Sequence, residues 1–289
     1  LRAAATQWEA LRPGLTDENK MSLADTQADT YTWLVEALVG NNEPEAALVA
    51  AERARARAFV ELLANRLNGA PIGKTAQMMA GLPSMDTSAL PQKPLTLKEI
   101  KQLARERDVT VVEYAIGHQT LHSWVVKPNG TVKYHPLTVQ PPKRSGRGDR
   151  PDMRTVLSTK ELLEKRVLDA RFSLTVPGNF FEEERSALLL RYLYDDLIAP
   201  LEGDLPKDPR EPMLIVPQGK LFLLPFAALK SETGSYLIED HAIYISPAIQ
   251  ASVLTAKHST PQGNVGADPG ALVVDRKSTR LNSSHQIIS

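Results

Sequence analysis

The hydrophobic period of the chain switches near residue 109, and that switch limits what the parts on either side can fold into. Over 1–67 apolar side chains recur at helical spacing; over 109–137 they recur at every second residue. Tyr31, Leu34, Val35 and Leu38 form an i, i+3, i+4, i+7 stripe, which gives a helix one apolar face. Thr16 or Asp17 can cap this helix, and Gly40-Asn41-Asn42 stops it, since Gly and Asn accept the left-handed conformation of a helix end. Pro44 then falls in the first turn of a second helix, where its missing N–H costs nothing. That helix carries Ala47, Leu48, Ala51 and Ala54 on one face and continues through Phe59, Leu62 and Leu63. Residues 1–67 are thus expected to be helical. Residues 68–95, rich in Gly, Pro, Ala, Ser and Met without a period, read as a linker.

Beyond the linker, Thr96-Leu97-Lys98-Glu99 is a capping box opening a short helix through Leu103. Residues 109–116, 120–126 and 131–137 alternate as strands, the last two joined at Asn129-Gly130, and an antiparallel meander is the simplest reading. Ser158-Thr159-Lys160-Glu161 opens a further helix to about Phe172. Residues 181–201 form another, with Leu190, Leu193, Tyr194, Leu197, Ile198 and Leu201 as its buried stripe. Residues 213–216 and 242–245 read as buried strands, 249–255 as helix, and 271–274 as a last strand. Helices alternating with apolar strands specify an α/β sheet.

Lys plus Arg and Asp plus Glu both number 34, so net charge gives no reason to expect nucleic acid or an anionic membrane as partner. Apolar runs such as 186–190 and 212–216 are far short of a membrane span. No segment has the layout of a signal peptide, which fits a cytoplasmic protein. The chain opens at Leu1 rather than Met, so its natural start is expected upstream. Cysteine is absent, which excludes disulfides, thiolate metal sites and a cysteine nucleophile within these 289 residues.

Other chemistry has no better footing. There is no Gly-x-Ser-x-Gly elbow and no His-Glu-x-x-His pair. The segment 69–75 is one residue too short for a phosphate-binding loop and follows a helix rather than a strand. The basic loop holding Lys143, Arg144, Arg147 and Arg150 has no aromatic residue for stacking on bases. Glu182, Glu183 and Glu184 suit the first turn of a helix, and the adjacent Asp195 and Asp196 point to different helix faces. His118, His122 and His135 fall in or beside the meander, His241 at a strand entrance and His258 in a loop, all read as surface or edge histidines. No catalytic, cofactor-binding or metal-binding residue is assigned.

Back-translated, Asp275 to His285 spells a common sequencing adapter, so 275–289 is read as an artefactual tail and set aside. The sequence then stops within an apolar strand, which predicts an incomplete sheet and poor stability.

The helix pair resembles a tetratricopeptide (TPR) repeat, with Tyr31, Leu34, Val35 and Leu38 on its first helix and Ala47, Ala51 and Ala54 on its second. Val35 stands where the repeat has a small residue, and the turn lacks its usual Leu-Gly. Three later segments, 193–201, 214–229 and 236–247, resemble the front half of the CHAT domain, a caspase-like α/β peptidase family usually preceded by TPR repeats. The Val216-Pro217-Gln218-Gly219-Lys220-Leu221 run and Leu224-Pro225-Phe226 carry most of this likeness; Ala51 to Ala58 and Val112-Glu113-Tyr114 also fit, while Ala248 replaces a usual Ser. The resemblance implies an α/β fold: a TPR-like helical hairpin (1–67), a linker (68–95) and an incomplete caspase-like domain (96–274). It implies a bacterial, cytoplasmic parent that is a cysteine endopeptidase, controlled by a protein partner bound to the TPR-like region. In that family a cysteine attacks the peptide carbonyl and a histidine in a His-Gly motif handles the proton. Neither motif is present here, so this chain is expected to be inactive and to need no cofactor. A non-catalytic scaffold with a degenerate CHAT domain is the alternative.

Overall fold

A computed structural model describes residues 1–3, 17–67, 94–139, 158–175 and 180–252, with the side chains of 17–28, 57–67 and 180–183 left aside. Helix α1 (Asp17–Gly40) and helix α2 (Pro44–Leu67) form an antiparallel hairpin. The α1 stripe is buried throughout, and Ala47, Leu48 and Ala51 of α2 meet it. The stop is a Schellman motif whose left-handed residue is Asn42 (φ 60°), with Glu43 N–H donating to Leu38 O (2.8 Å) and Asn42 N–H to Val39 O (2.9 Å). Gly40 itself is the last helical residue.

Helix α3 (Leu97–Glu106) starts at the expected capping box, with Thr96 N–H donating to Glu99 Oε2 (2.7 Å) and Glu99 N–H to Thr96 Oγ1 (3.3 Å). It runs one turn beyond Leu103 because Asp108 (φ 49°) supplies a second left-handed terminus, with Val109 N–H on Ala104 O (3.0 Å). Strands β1 (Thr110–Ile116), β2 (Leu121–Val126) and β3 (Val132–Leu137) form the antiparallel meander. The turn between β2 and β3 is closed by Gly130 N–H on Lys127 O (2.9 Å). Positive φ falls on Gly130 (86°), with Pro128 ahead of it.

Helix α4 (Thr159–Thr175) is capped by Ser158, whose N–H donates to Glu161 Oε2 (2.9 Å). Helix α5 (Phe180–Leu197) stops four residues short of the expected Leu201. Pro200 has no N–H to offer, and the chain tightens there into a 3-10 turn, Ala199–Leu201. The whole stripe from Leu190 to Leu201 is nevertheless buried, because the turn keeps Leu201 on the same face. Strand β4 (Pro212–Val216) follows, then 3-10 turns Gly219–Leu223 and Phe226–Ala228, the short helix α6 (Leu237–Asp240) and strand β5 (Ala242–Ile245); a helix opens at Ile249.

The five strands form one mixed sheet in the order β3-β2-β1-β4-β5, with β4 parallel to both β1 and β5. Alternation along β1 sends Val112, Tyr114 and Ile116 to one core, shared with α4, α5 and the turns after β4. Val111 and Ala115, with Trp124, Val126, Leu214 and Val216, face a second core formed with α1, α2 and α3. The helical hairpin is therefore one outer layer of a three-layer sandwich. Trp124 marks the seam: its side chain is fully buried and its Nε1 donates to Pro44 O (2.8 Å) at the hairpin turn.

One strand differs from expectation. β5 is expected to be buried, but Tyr244 is 60% exposed and Ile245 51%. It pairs with β4 and is the last strand of the sheet among the described residues. The expected linker up to residue 93, the phosphate-loop near miss at 69–75, the basic loop at 140–150, the strand at 271–274, His258 and the tail fall on residues outside the description.

Candidate functional site

The chain leaves β1 through the meander on one side of the sheet and returns through β4 and β5 on the other. The β1/β4 pair is thus where strand order reverses, and in open α/β sheets the carboxyl ends at such a reversal are where sites are built. Here those ends are Ile116-Gly117 and Val216-Pro217-Gln218. Pro217 ends β4 since it lacks a ladder donor. The Gln218 side chain then reaches across, its Oε1 accepting from Ile116 N–H, so the two strand ends are fastened together. Gly219 takes the left-handed conformation (φ 56°) and turns the chain so that Leu221 enters the core. Lys220 pairs with Glu164 on α4 (2.8 Å).

The hairpin supplies the far wall. From α1, Glu36 accepts from His118 N–H (2.6 Å) and meets the His118 ring at Nδ1 (3.1 Å), while Trp33 stacks on that ring at 4.0 Å. Gly117 is needed beside them, because a Cβ there would lie 2.6 Å from Glu36 Oε1 and 2.8 Å from Thr120 O. From α2, Arg55 places Nη1 2.8 Å from both Val216 O and Pro217 O, holding the end of β4 directly. Its Nε lies 3.3 Å from Glu113 Oε1 on β1. One turn earlier, Glu52 accepts from Ile249 N–H (3.0 Å) and Gln250 N–H (2.8 Å) where the helix after β5 opens. Glu52 and Glu113 are fully buried and Arg55 nearly so.

Burial dominates the electrostatics of this cluster. It pushes the Glu52 carboxyl up to about 7, against the two backbone N–H groups and Arg55, which favour the anion. It holds Glu113 well above the carboxylate range, and the charge of Arg55 offsets this only in part. Chemically the arrangement binds and positions. Among the described residues no group of three or more His, Asp or Glu is placed to hold a metal ion.

The singled-out histidines scatter. His118 sits at this site. His135 pairs with Asp204 (Nε2 to Oδ2, 3.1 Å), and burial lowers the pKa of His241 at the entrance to β5. His122 is a correction: it is not a surface or edge residue but is 3% exposed on the interior strand β2, its Nδ1 2.8 Å from the Tyr134 hydroxyl. Burial lowers its pKa, so it favours the neutral ring. Asp195 and Asp196 part as expected, Asp195 to Arg191 (2.9 Å) and Asp196 to the buried Arg166. Glu184 is exposed near the start of α5. The three cluster residues were not foreseen as a site. The one signal was Glu113 itself, a carboxylate inside the apolar run Thr110-Val111-Val112-Glu113-Tyr114-Ala115-Ile116.

Residues 188–286 match the CHAT domain family, so the match begins within α5, takes in β4, its fastening turn and β5, and runs on past Val274. Tetratricopeptide repeat protein 28 of Homo sapiens is 24% identical in an alignment covering 89% of this chain. Its counterpart in Mus musculus is 23% identical over 87%. The chain spans only 13% of the length of either relative. No helix of the described residues is long and apolar enough to cross a membrane. A CHAT-domain match thus covers β4 and β5, and the relatives that align along most of the chain are named as tetratricopeptide repeat proteins.

Proposed function

We propose that the chain is the regulatory and scaffolding portion of a TPR–CHAT protein. In its complete form this protein is a caspase-like cysteine peptidase, controlled by a protein partner that engages the helical hairpin. The observation that carries this reading is Arg55. A residue of the hairpin directly holds the carboxyl end of β4, next to the strand-order reversal where an α/β enzyme places its chemistry. A partner that shifts α2 therefore moves a strand end without an intervening linkage. A groove of about 670 Å³ on the hairpin, walled by Tyr31, Leu34, Leu38, Val49 and Ala50, offers apolar surface for such a partner.

Within these 289 residues there is no cysteine, so the nucleophile of this reading lies elsewhere in the complete protein. The same fact favours the second reading, a CHAT-type scaffold that binds proteins without cutting them. Recovering the parent gene beyond the Val274 codon separates the two. A strand followed by His-Gly and a later strand followed by Cys, with peptide cleavage lost on replacing that Cys by Ala, supports the peptidase. A reading frame that closes without them leaves the scaffold.

A further inference from the structure

Glu52, Arg55 and Glu113 come from two elements, α2 and β1, and meet where a third and fourth, the end of β4 and the helix opening at Ile249, converge. Glu113 touches the guanidinium, and Glu52, three residues before Arg55 on α2, feels its charge; all three side chains are buried. Glu52 has two backbone N–H donors and so suits the charged form. Glu113 has no hydrogen bond to either oxygen among the described residues, and touches Arg55 only at 3.3 Å. With Glu113 protonated, the cluster is one anion and one cation. With both carboxyls ionised, it carries an uncompensated buried charge, which is costly.

We propose that Glu52, Arg55 and Glu113 form a one-proton latch that fastens α2 to the end of β4 and to the helix after β5, closed while the carboxyl pair keeps a proton and opened when both carboxyls ionise. Other charges lie at the margins of the cluster. Arg107, at the end of α3, donates to Ser252 O (2.8 Å), and Arg53 lines the hairpin groove. The charges that act on the two carboxyls are their own and that of Arg55. The sign follows from the direction in which burial moves both groups. Burial moves both carboxyls above the ordinary 4.5 and the two titrate as a pair, so the folded junction keeps a proton that the unfolded chain has released; its stabilisation is complete below the ordinary value and is lost as pH rises through the pair's raised folded values. The inference does not depend on whether the complete protein is a peptidase, since it concerns the hold of the hairpin on the sheet.

The chain has no cysteine, so a single introduced thiol reports one contact cleanly. Ala248 is fully buried and packs with Ala56 of α2 and with Ala251, beside the latch. In the full chain carrying Ala248→Cys, the rate of thiol labelling is compared with that of the same chain in denaturant at each pH, which removes the thiol's own ionisation. Between about pH 5.5 and pH 8.5 the protection should fall by about tenfold or more, the equivalent of one pKa unit of linkage. Adding Glu113→Gln, which keeps the neutral form at every pH, should abolish that fall. Ala170→Cys, buried in the other core, should stay protected throughout. A flat profile overturns the latch. So does a fall that persists with Glu113→Gln, or one shared by Ala170→Cys, which would be general unfolding. If Ala248→Cys disturbs its neighbours, Ala251→Cys reads the same contact; labelling without protection at both positions down to the lowest pH also overturns the proposal.

Discussion

Tyr114 sits at the centre of the sheet with no exposed surface, yet its hydroxyl is not wasted. It donates to Leu197 O (2.9 Å), a carbonyl left over where α5 ends ahead of Pro200. Burial raises the phenol's pKa beyond any working pH, so it remains a donor. Replacing it as Tyr114→Phe keeps the ring, which lies 6.0 Å from Phe226, and leaves the carbonyl without its partner. The expected loss is about 1–2 kcal/mol in urea unfolding, with an unchanged denaturant slope, because a buried acceptor stripped of its donor costs its desolvation. An unaltered midpoint would mean that the carbonyl finds water. Glu113, the preceding residue, obeys the opposite logic: its polar atoms lack such a partner, and a proton takes the place of one.

At the scale of elements, what could be read in advance was whatever one element encodes by itself. The stripe from Leu190 to Leu201 was legible because helical spacing fixes one face, and the boxes at Thr96 and Ser158 because they lie within four residues. The break at Pro200 was passed over since the apolar stripe continues through it. The exposure of β5 was not legible: four apolar-rich residues look alike in a central strand and at an edge, and only the pairing decides. The exposed side chains of β5 make a separable prediction. Tyr244→Lys with Ile245→Lys should suppress self-association in light scattering while leaving the unfolding free energy within about 0.5 kcal/mol, as surface changes away from special contacts do. If self-association persists, the sticking surface is elsewhere, with the exposed Phe172 and Phe222 the next to try.

For the molecule as a whole, the sequence separates what the structure packs together. Between the hairpin and the strands lie 68–93, and nothing in the local pattern of either says that they share a core. The Ala-rich face of α2 is legible as helix packing, whereas Glu52 and Arg55 on that helix find their partners 58 and more positions away, at Glu113, Val216 and Ile249. Such a cluster is created by the tertiary fold and leaves no spacing to detect. The hairpin is accordingly a layer the sheet depends on. A chain beginning at Leu95, without it, would bare Val111, Ala115, Trp124, Val126, Leu214 and Val216 and strand Glu113 without Arg55. Exposed apolar patches of this kind and an unpaired carboxylate both oppose folding. That shortened chain should bind a hydrophobic dye and melt without a cooperative transition, whereas the full chain should melt more sharply and bind less dye. A sharp melt without dye binding would show that the sheet is stable alone, and the hairpin would then have to act by a weaker hold than the one its buried charges imply.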